Sequence, residues 1–303
     1  MIDVGRLRAL DAIARYGTIV AAGDSLRCTP SAVSQQLSKL ERETKTTLVE
    51  KDGRRLRLTE VGRVLADHAS RVISAIDEAE AALAAHRDTV SGHLRVASFA
   101  TACRALLPYA LRRLATDHPQ LVTGLTEINP PDGLDSLSRA RFDLAVLDDW
   151  PEVSLRFPPG IEYVELGVDV ADLLVPSSHR LARARSVVLT QVLGEPWIAS
   201  PPGAICHDWL VRVLPGVAPD FYVGEFETQI TLVAAGLGIA MVPRLARPEL
   251  PDGVAVVAVR PRPTRKVRVA WRTSAGGRPA IRAAVAALRA AWQHYETTVW
   301  PAA

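Results

Sequence analysis

The chain has 303 residues, 48% of them hydrophobic and 23% charged, enough apolar material for about two cored domains. No run approaches the roughly 18 apolar residues of a membrane helix, Met1–Arg6 has no apolar signal core, and three scattered cysteines (Cys28, Cys103, Cys206) exclude a disulfide scaffold; a cytoplasmic protein with no membrane partner is expected. The net charge of +3 is uneven: residues 1–58 carry 11 Lys/Arg against 7 Asp/Glu, and residues 59–92 carry 3 against 6.

Val4, Leu7, Leu10 and Ile13 recur every three to four residues and predict a first helix, which Gly17 can end in the left-handed conformation. Thr18 can cap a short second helix carrying Ala21, Ala22 and Leu26. Thr29 as N-cap and Pro30 at the first helical position open a third helix. One of its faces is Val33, Leu37 and Leu40; the other is Ser31, Ser34, Gln35, Ser38, Lys39 and Arg42. Strands over 46–50 and 55–58 flank Asp52-Gly53, a hairpin signal with Lys51, Arg54 and Arg55 at its tip. Three helices and a basic hairpin form the order of a winged helix-turn-helix. Its third helix fits the major groove and offers side chains to base edges, while the wing meets phosphates.

A single helix is predicted over 59–91. Leu65, Ala69, Val72, Ile76, Ala79 and Leu83 form a heptad seam, so Leu65, Val72, Ile76 and Leu83 are the candidate dimerisation residues. Two alanines keep the buried area small, and a dimer would need a second contact. The body, 92–303, begins with a strand at 93–98 and a helix running to Leu114. Strands follow at 121–127 and 144–147 around a helix at 134–140, then at 172–175, 196–199, 221–226, 239–242, 254–259 and 266–271. A helix at 280–297 closes the chain. This alternation predicts α/β architecture with mostly parallel sheets in two lobes, lobe I from 92–165 with 270–303 and lobe II from 166–269.

Residues 17–41, with Ala32-Val33-Ser34 and Leu40-Glu41, followed by Leu48, Gly53-Arg54-Arg55 and Leu58-Thr59-Glu60-Val61-Gly62, resemble the N-terminal region of LysR-type transcriptional regulators. Weaker echoes of the same family run through Leu173–His179, Glu195–Ile198 and Val233–Pro243. The resemblance implies a multidomain fold: an all-α winged helix-turn-helix over 1–58, a dimerising linker helix over 59–91, and a two-lobed effector domain like periplasmic binding proteins over 92–303. It further implies a homodimer or homotetramer on an interrupted palindrome of double-stranded DNA, a small-molecule effector in the interlobe cleft, and RNA polymerase as a further partner. The sequence departs from the family at Pro30, where many members place a polar base reader. It also departs at Thr44 and Lys45, where Leu and a helix-ending Gly are common, and at Val49, where Phe is common.

For DNA contact the candidates are Thr29, Pro30, Ser31, Ser34, Gln35 and Lys39 on the helix, with Arg54 and Arg55 on the wing; Gln35 can pair bidentately with adenine. For the effector they are Ser98, Phe99, Ala100 and Thr101 between a strand and a helix, Asn129, Ser200, Pro202, and Thr228 as a helix cap. A small carboxylate or similar polar metabolite is the expected ligand. Gly236-x-Gly238 with Met241 is a broken dinucleotide motif, the histidines form no metal pattern, and Gly-x-Ser-x-Gly, phosphate-loop and His-Glu-x-x-His motifs are absent. No metal, cofactor or catalytic activity is expected, and redox sensing is set aside because Cys206 has no evident resolving cysteine. A solute-binding protein and a dinucleotide-dependent enzyme stay as alternatives.

Overall fold

The computed structural model describes residues 2–52, 55–85, 90–247 and 249–298. The head opens with helix α1 (Val4–Tyr16), capped by the Asp3 carboxylate on the Gly5 N–H and ended by Gly17 at φ 69°. Helix α2 (Ile19–Leu26) is capped by Thr18, and α3 (Pro30–Thr44) by Thr29 with Pro30 in its first turn. Leu10, Ile13, Ala22, Val33, Leu37 and Leu40 close one core beneath the three helices. The wing is β1 (Val49–Asp52) paired antiparallel with β2 (Arg55–Leu58). The first strand starts three residues later than the expected 46. Thr46 is still bonded back to the Glu41 carbonyl, and the Leu48 N–H donates to the Glu41 carboxylate at 2.8 Å. Arg54 and the Arg55 side chain lie outside the described residues.

Helix α4 (Glu60–Ala85) follows without a break. Its first turn explains the Leu58–Gly62 motif: Thr59 caps the Gly62 N–H, and a Cβ on Gly62 would stand 2.0 Å from the Leu48 carbonyl oxygen. The inward face of α4 is Ala66, Ala69, Ser70, Ile73 and Ser74. The expected seam therefore does not lie wholly on one outward face, because Ala69 turns inward. Val72 is exposed and Leu65 and Ile76 are half-buried. Leu83 is helical, but its side chain is outside the described residues. Val61, Val64, Val72 and Ala75 make an exposed apolar stripe along α4, flanked by Ile76 and by Leu65, which packs on the head's core.

Lobe I is built on β3 (Gly92–Ser98), β4 (Leu121–Glu127), β5 (Leu144–Asp149), β12 (Thr264–Arg272) and the first half of β6 (Ile161–Pro176), in the order β4-β3-β5-β12-β6. Strand alternation sends Leu94 and Val96 to the side covered by α5 (Ala100–Ala105), α6 (Leu107–Asp117) and α10 (Pro279–Thr298), and Ala97 to the side covered by α7 (Pro130–Ser138). In lobe II the second half of β6 lies between β10 (Ala240–Pro243) and β11 (Val254–Val259), with β7 (Ser186–Val187) beyond. Strands β8 (Ile198–Ala199) and β9 (Phe221–Tyr222) pair separately. Helices α8 (Ile205–Val213) and α9 (Phe226–Ala234) cover lobe II through Trp209 and through Phe226 and Ile230.

The sheet is mixed, which corrects the mostly parallel expectation: β3, β4 and β5 run parallel, whereas β12 opposes both β5 and β6, and β6 opposes β10 and β11. The cause is the crossing between lobes. Strand β6 leaves lobe I and continues into lobe II, and residues 260–263 bring the chain back beside it, where the Ala171 N–H donates to the Pro263 carbonyl at 3.0 Å. Strands that carry the chain out and back run against those fed by helical crossovers. The helix expected to run to Leu114 is divided at Leu106 into α5 and α6, and the strand expected over 221–226 stops at Tyr222 because α9 starts at Phe226.

The head is tied to lobe I. Asp67 of α4 is clasped by Arg139 at 2.8 Å and Arg141 at 2.6 Å, and the Arg15 guanidinium donates to the Arg141 carbonyl at 3.0 Å. Arg272 at the end of β12 donates to Ser74 of α4 at 2.6 Å. Burial alone would raise the Asp67 pKa, but the hydrogen bonds from Arg141 and Arg139 outweigh it and hold the carboxyl below its ordinary range.

Candidate nucleic-acid interface and interlobe pocket

The third helix presents the expected edge. Thr29, Pro30, Ser31, Gln35 and Lys39 are exposed, Ser34 is half-buried, and Val33, Leu37 and Leu40 lie buried beneath them. The helix is fixed at both ends: the Thr29 hydroxyl accepts from Ala32, and Lys45 adopts φ 52° with its N–H on the Glu41 carbonyl. Glu41 is a positioning residue beyond the sequence-derived set. By accepting from Leu48 and Val49 at 2.8 and 3.4 Å, its carboxylate sets the start of the wing relative to α3. Its signal was the Leu40-Glu41 pair itself. A charged residue beside a core leucine at a helix end is commonly there to satisfy backbone N–H groups.

The second site lies between the lobes. Trp150, Ser200, Cys206, Trp209, Gln229 and Met241 are among the residues around a cavity of about 20 Å³, room for one water. Between the lobes, Arg104 of α5 pairs with Glu225 at 3.5 Å and with Glu227 at the start of α9. Behind the cavity lies Arg265, 1% exposed. The Arg265 guanidinium donates to Asp148 at 2.8 Å, to Asp169 at 2.9 and 3.0 Å, and to the Thr101 hydroxyl at 2.9 Å, and it sits 5.1 Å from the Phe99 ring centre. Burial opposes its charge, but Asp148 and Asp169 outweigh burial and raise its pKa, so Arg265 stays a cation.

The sequence-derived effector residues divide accordingly. Phe99 and Thr101 pack on Arg265, and Ser200 lines the cavity, accepting from Gln229 at 3.3 Å. Ser98 is buried with its hydroxyl on the Phe99 carbonyl, and Ala100 is half-buried. Asn129, Pro202 and Thr228 are exposed and do not line the cavity. Thr228 is also not a cap: it is the third residue of α9, whose N-cap is Glu225 with no side-chain hydrogen bond. Sequence reasoning missed Arg265, Asp148, Asp169, Trp150, Trp209 and Gln229. One of these carried a signal, since Arg265 shares its strand face with Val267 and Val269, where an apolar residue is expected.

Gly236 and Gly238 serve packing. Gly236 takes φ 79° after α9, and a Cβ on Gly238 would lie 2.6 Å from the Pro196 carbonyl oxygen. Cys206 is a free thiol whose pKa is pushed up to about 12, first by burial and then by Asp148. No cluster of three His, Cys, Asp or Glu side chains able to hold a metal ion occurs among the described residues, nor any helix long and apolar enough to cross a membrane.

Comparison with known proteins covers both the head and the two-lobed body. Residues 4–63 match the family described as bacterial regulatory helix-turn-helix protein, lysR family, and residues 87–293 match the LysR substrate binding domain. A probable hydrogen peroxide-inducible genes activator of Mycobacterium avium is 28% identical over 90% of this chain and 89% of its own. The uncharacterized HTH-type transcriptional regulator YvbU of Bacillus subtilis is 25% identical over 89% of this chain and 91% of its own. Among solved structures, a full-length OxyR variant from Pseudomonas aeruginosa superposes with a TM-score of 0.73 at 20% identity, covering 100% of this chain and 99% of that one. CbnR in complex with its target DNA gives 0.62 at 19% identity, covering 96% and 100%. With one match spanning the head and another the two-lobed body, the chain belongs to the LysR family of bacterial regulatory helix-turn-helix proteins.

Proposed function

We propose that this chain regulates transcription by binding double-stranded DNA as a homo-oligomer, with a small molecule in the interlobe pocket altering how the two heads of a dimer are placed. The observation that carries this reading is the outward edge of α3, where Ser31, Gln35 and Lys39 stand exposed on a capped and cored helix of major-groove dimensions. The apolar stripe of α4, through Leu65, Val72 and Ile76, supports pairing of two copies, which sets two α3 helices on an interrupted palindrome. Arg54 and Arg55 then contact phosphates. In this reading the protein is cytoplasmic and catalyses nothing.

Several relatives are named as hydrogen peroxide-inducible genes activators. Cys206 supports a ligand-driven mechanism instead, because thiol oxidation proceeds through the thiolate, and a buried thiol with a pKa of about 12 has almost none at neutral pH. The test is a gel shift on duplex from upstream of the protein's own gene at low ionic strength, with and without prior peroxide treatment. Retardation unaffected by peroxide is expected. Failure to retard the duplex overturns the DNA-binding reading, and loss or gain of retardation on oxidation overturns the ligand-driven one.

A further inference from the structure

A far larger cavity than the interlobe one, about 710 Å³, lies between the head and lobe I. Small-molecule sites have this size and favour the boundary between domains. One wall is the end of α1, strand β2 and the first turns of α4. The other is β4, at the edge of the sheet, with the segment that follows α7. Between the charged groups these walls are apolar: Tyr16, 53% exposed, and Leu125, 40% exposed, line the cavity with Phe142.

The charges on the walls are unequal. Arg15, Arg57 and Arg63 of the head and Arg95 and Arg141 of lobe I line the cavity, against Asp11 and Asp67. Partners just outside it do not cancel the difference. Arg15 is matched by Asp11 at 2.8 Å and Arg57 by Glu50 at 3.1 Å. Asp67, however, serves both Arg141 and Arg139, and Arg139 also reaches Asp135. Asp143 serves Arg95 at 2.9 Å and Arg278 at 3.0 Å, with Arg272 at 3.7 Å. The exposed Arg63 guanidinium donates to the Leu58 carbonyl at 3.1 Å and has no carboxylate partner among the described residues. Arg63, Arg95, Arg139, Arg141, Arg272 and Arg278 thus face three carboxylates, Asp67, Asp135 and Asp143. Arginine cannot shed its proton to relieve such an excess.

We propose that the cavity between the head and lobe I is a second ligand site, separate from the interlobe pocket, for a small organic dianion with an apolar body: a phosphate ester or a dicarboxylate. The guanidinium fork suits either kind of oxyanion and can hold it through two parallel N–H bonds. Tyr16, Leu125 and Phe142 receive the apolar body. The cations stand on both walls, Arg57 and Arg63 on the head and Arg95 and Arg141 on lobe I. A dianion bound to both walls therefore ties the head to lobe I in the placement that Asp67 already clasps, and holds the α3 edge at one angle to the body.

The test titrates phenyl phosphate and phthalate into the full chain by calorimetry at matched ionic strength, with benzoate as the monoanion and benzamide as the neutral body. At least one dianion is expected to bind at least about tenfold more tightly than benzoate, and the tighter of the two names the headgroup. Arg63→Ala on the head wall and Leu125→Glu on the lobe I wall, both at exposed positions, should each weaken that dianion at least about fivefold with an unchanged circular dichroism spectrum. Lys39→Ala, on the outward edge of α3, should leave its affinity as it was. Hydrogen exchange should slow on binding in residues 13–17 and 124–128, which line the cavity. Dianions no tighter than benzoate overturn the proposal, as does affinity indifferent to both wall variants. Weakening by Lys39→Ala as large as by Arg63→Ala places the anion on the reading edge, and slowed exchange confined to residues 205–210 places it in the interlobe pocket; either result also overturns it. Should Leu125→Glu fail to fold, Arg63→Ala and the exchange pattern decide.

Discussion

Gln35 and Arg54 are asked to do different things, and their substitution should separate the two. Gln35→Ala should cost about 1–3 kcal/mol at one base position and relax specificity there, because a bidentate contact to a base edge is lost. Arg54→Ala should weaken all duplexes alike and reduce the salt slope by about one, since one phosphate contact goes. Competition gel shifts over a salt series with mutated sites measure both, and identical profiles for the two variants would remove these roles. Lys45 occupies the left-handed conformation at φ 52° where a glycine pays no steric penalty. Lys45→Gly should therefore stabilise the head by about 1 kcal/mol, read as a raised denaturation midpoint. Lys45 was legible in the sequence because helix-ending chemistry is local. Arg265 was not, although its place among Val267 and Val269 marked it as odd, because its meaning depends on Asp148 and Asp169 arriving from two other strands. Asn129 was chosen for its position after a strand and Thr228 as a helix cap, and neither local feature fixes which way the side chain faces.

Among elements, α4 carries two surfaces at once, and its helical period divides them. Ala66, Ala69 and Ile73 serve the chain's own interior, while Val61, Val64 and Val72 stand outward. A seven-residue spacing read from sequence mixes the two, which is why Ala69 was assigned to the outer seam. Val72→Glu puts a charge in the middle of the outward stripe and should split the oligomer, measured as halved mass by light scattering with the monomer still folded. Strand β6 was half legible. Residues 173–175 are apolar on both faces, whereas Glu162, Glu165, Gly167, Asp169 and Asp172 interrupt the pattern upstream, where the strand is partly exposed or paired with charged partners. The junction of β3 with α10 makes a pH prediction. Burial would raise the Asp143 pKa, but Arg95 at 2.9 Å and Arg278 at 3.0 Å outweigh it and hold the carboxyl well below 3.8. A carboxylate depressed in the folded state adds stability that is complete above its unfolded pKa and is lost as pH falls below about 3.8 toward the folded value. Asp143→Asn should accordingly cost about 3–5 kcal/mol at neutral pH, by leaving buried arginines underpaired. The variant should also flatten the acid limb of a stability-against-pH curve measured by thermal melts.

At the scale of the whole molecule, the head and stalk were legible from charge blocks and the change of hydrophobic period, and the two lobes from strand–helix alternation over a long body, while the mixed sheet was not. Strand direction follows from where the chain crosses between lobes, and that crossing is a property of tertiary contact. One strand has a mechanical consequence. Arg265, at the near end of β12, is locked to Asp148 and Asp169 beside the pocket, and Arg272, at its far end, grips Ser74 of α4. The seven intervening steps make an extended rod of roughly 23 Å. It is paired on both flanks by β5 and β6, with one register shift against β6 between Val267 and Arg268. A tilt imposed where Arg265 sits is thus carried along one continuous strand to the stalk that bears the reading head, as a push-rod transmits motion.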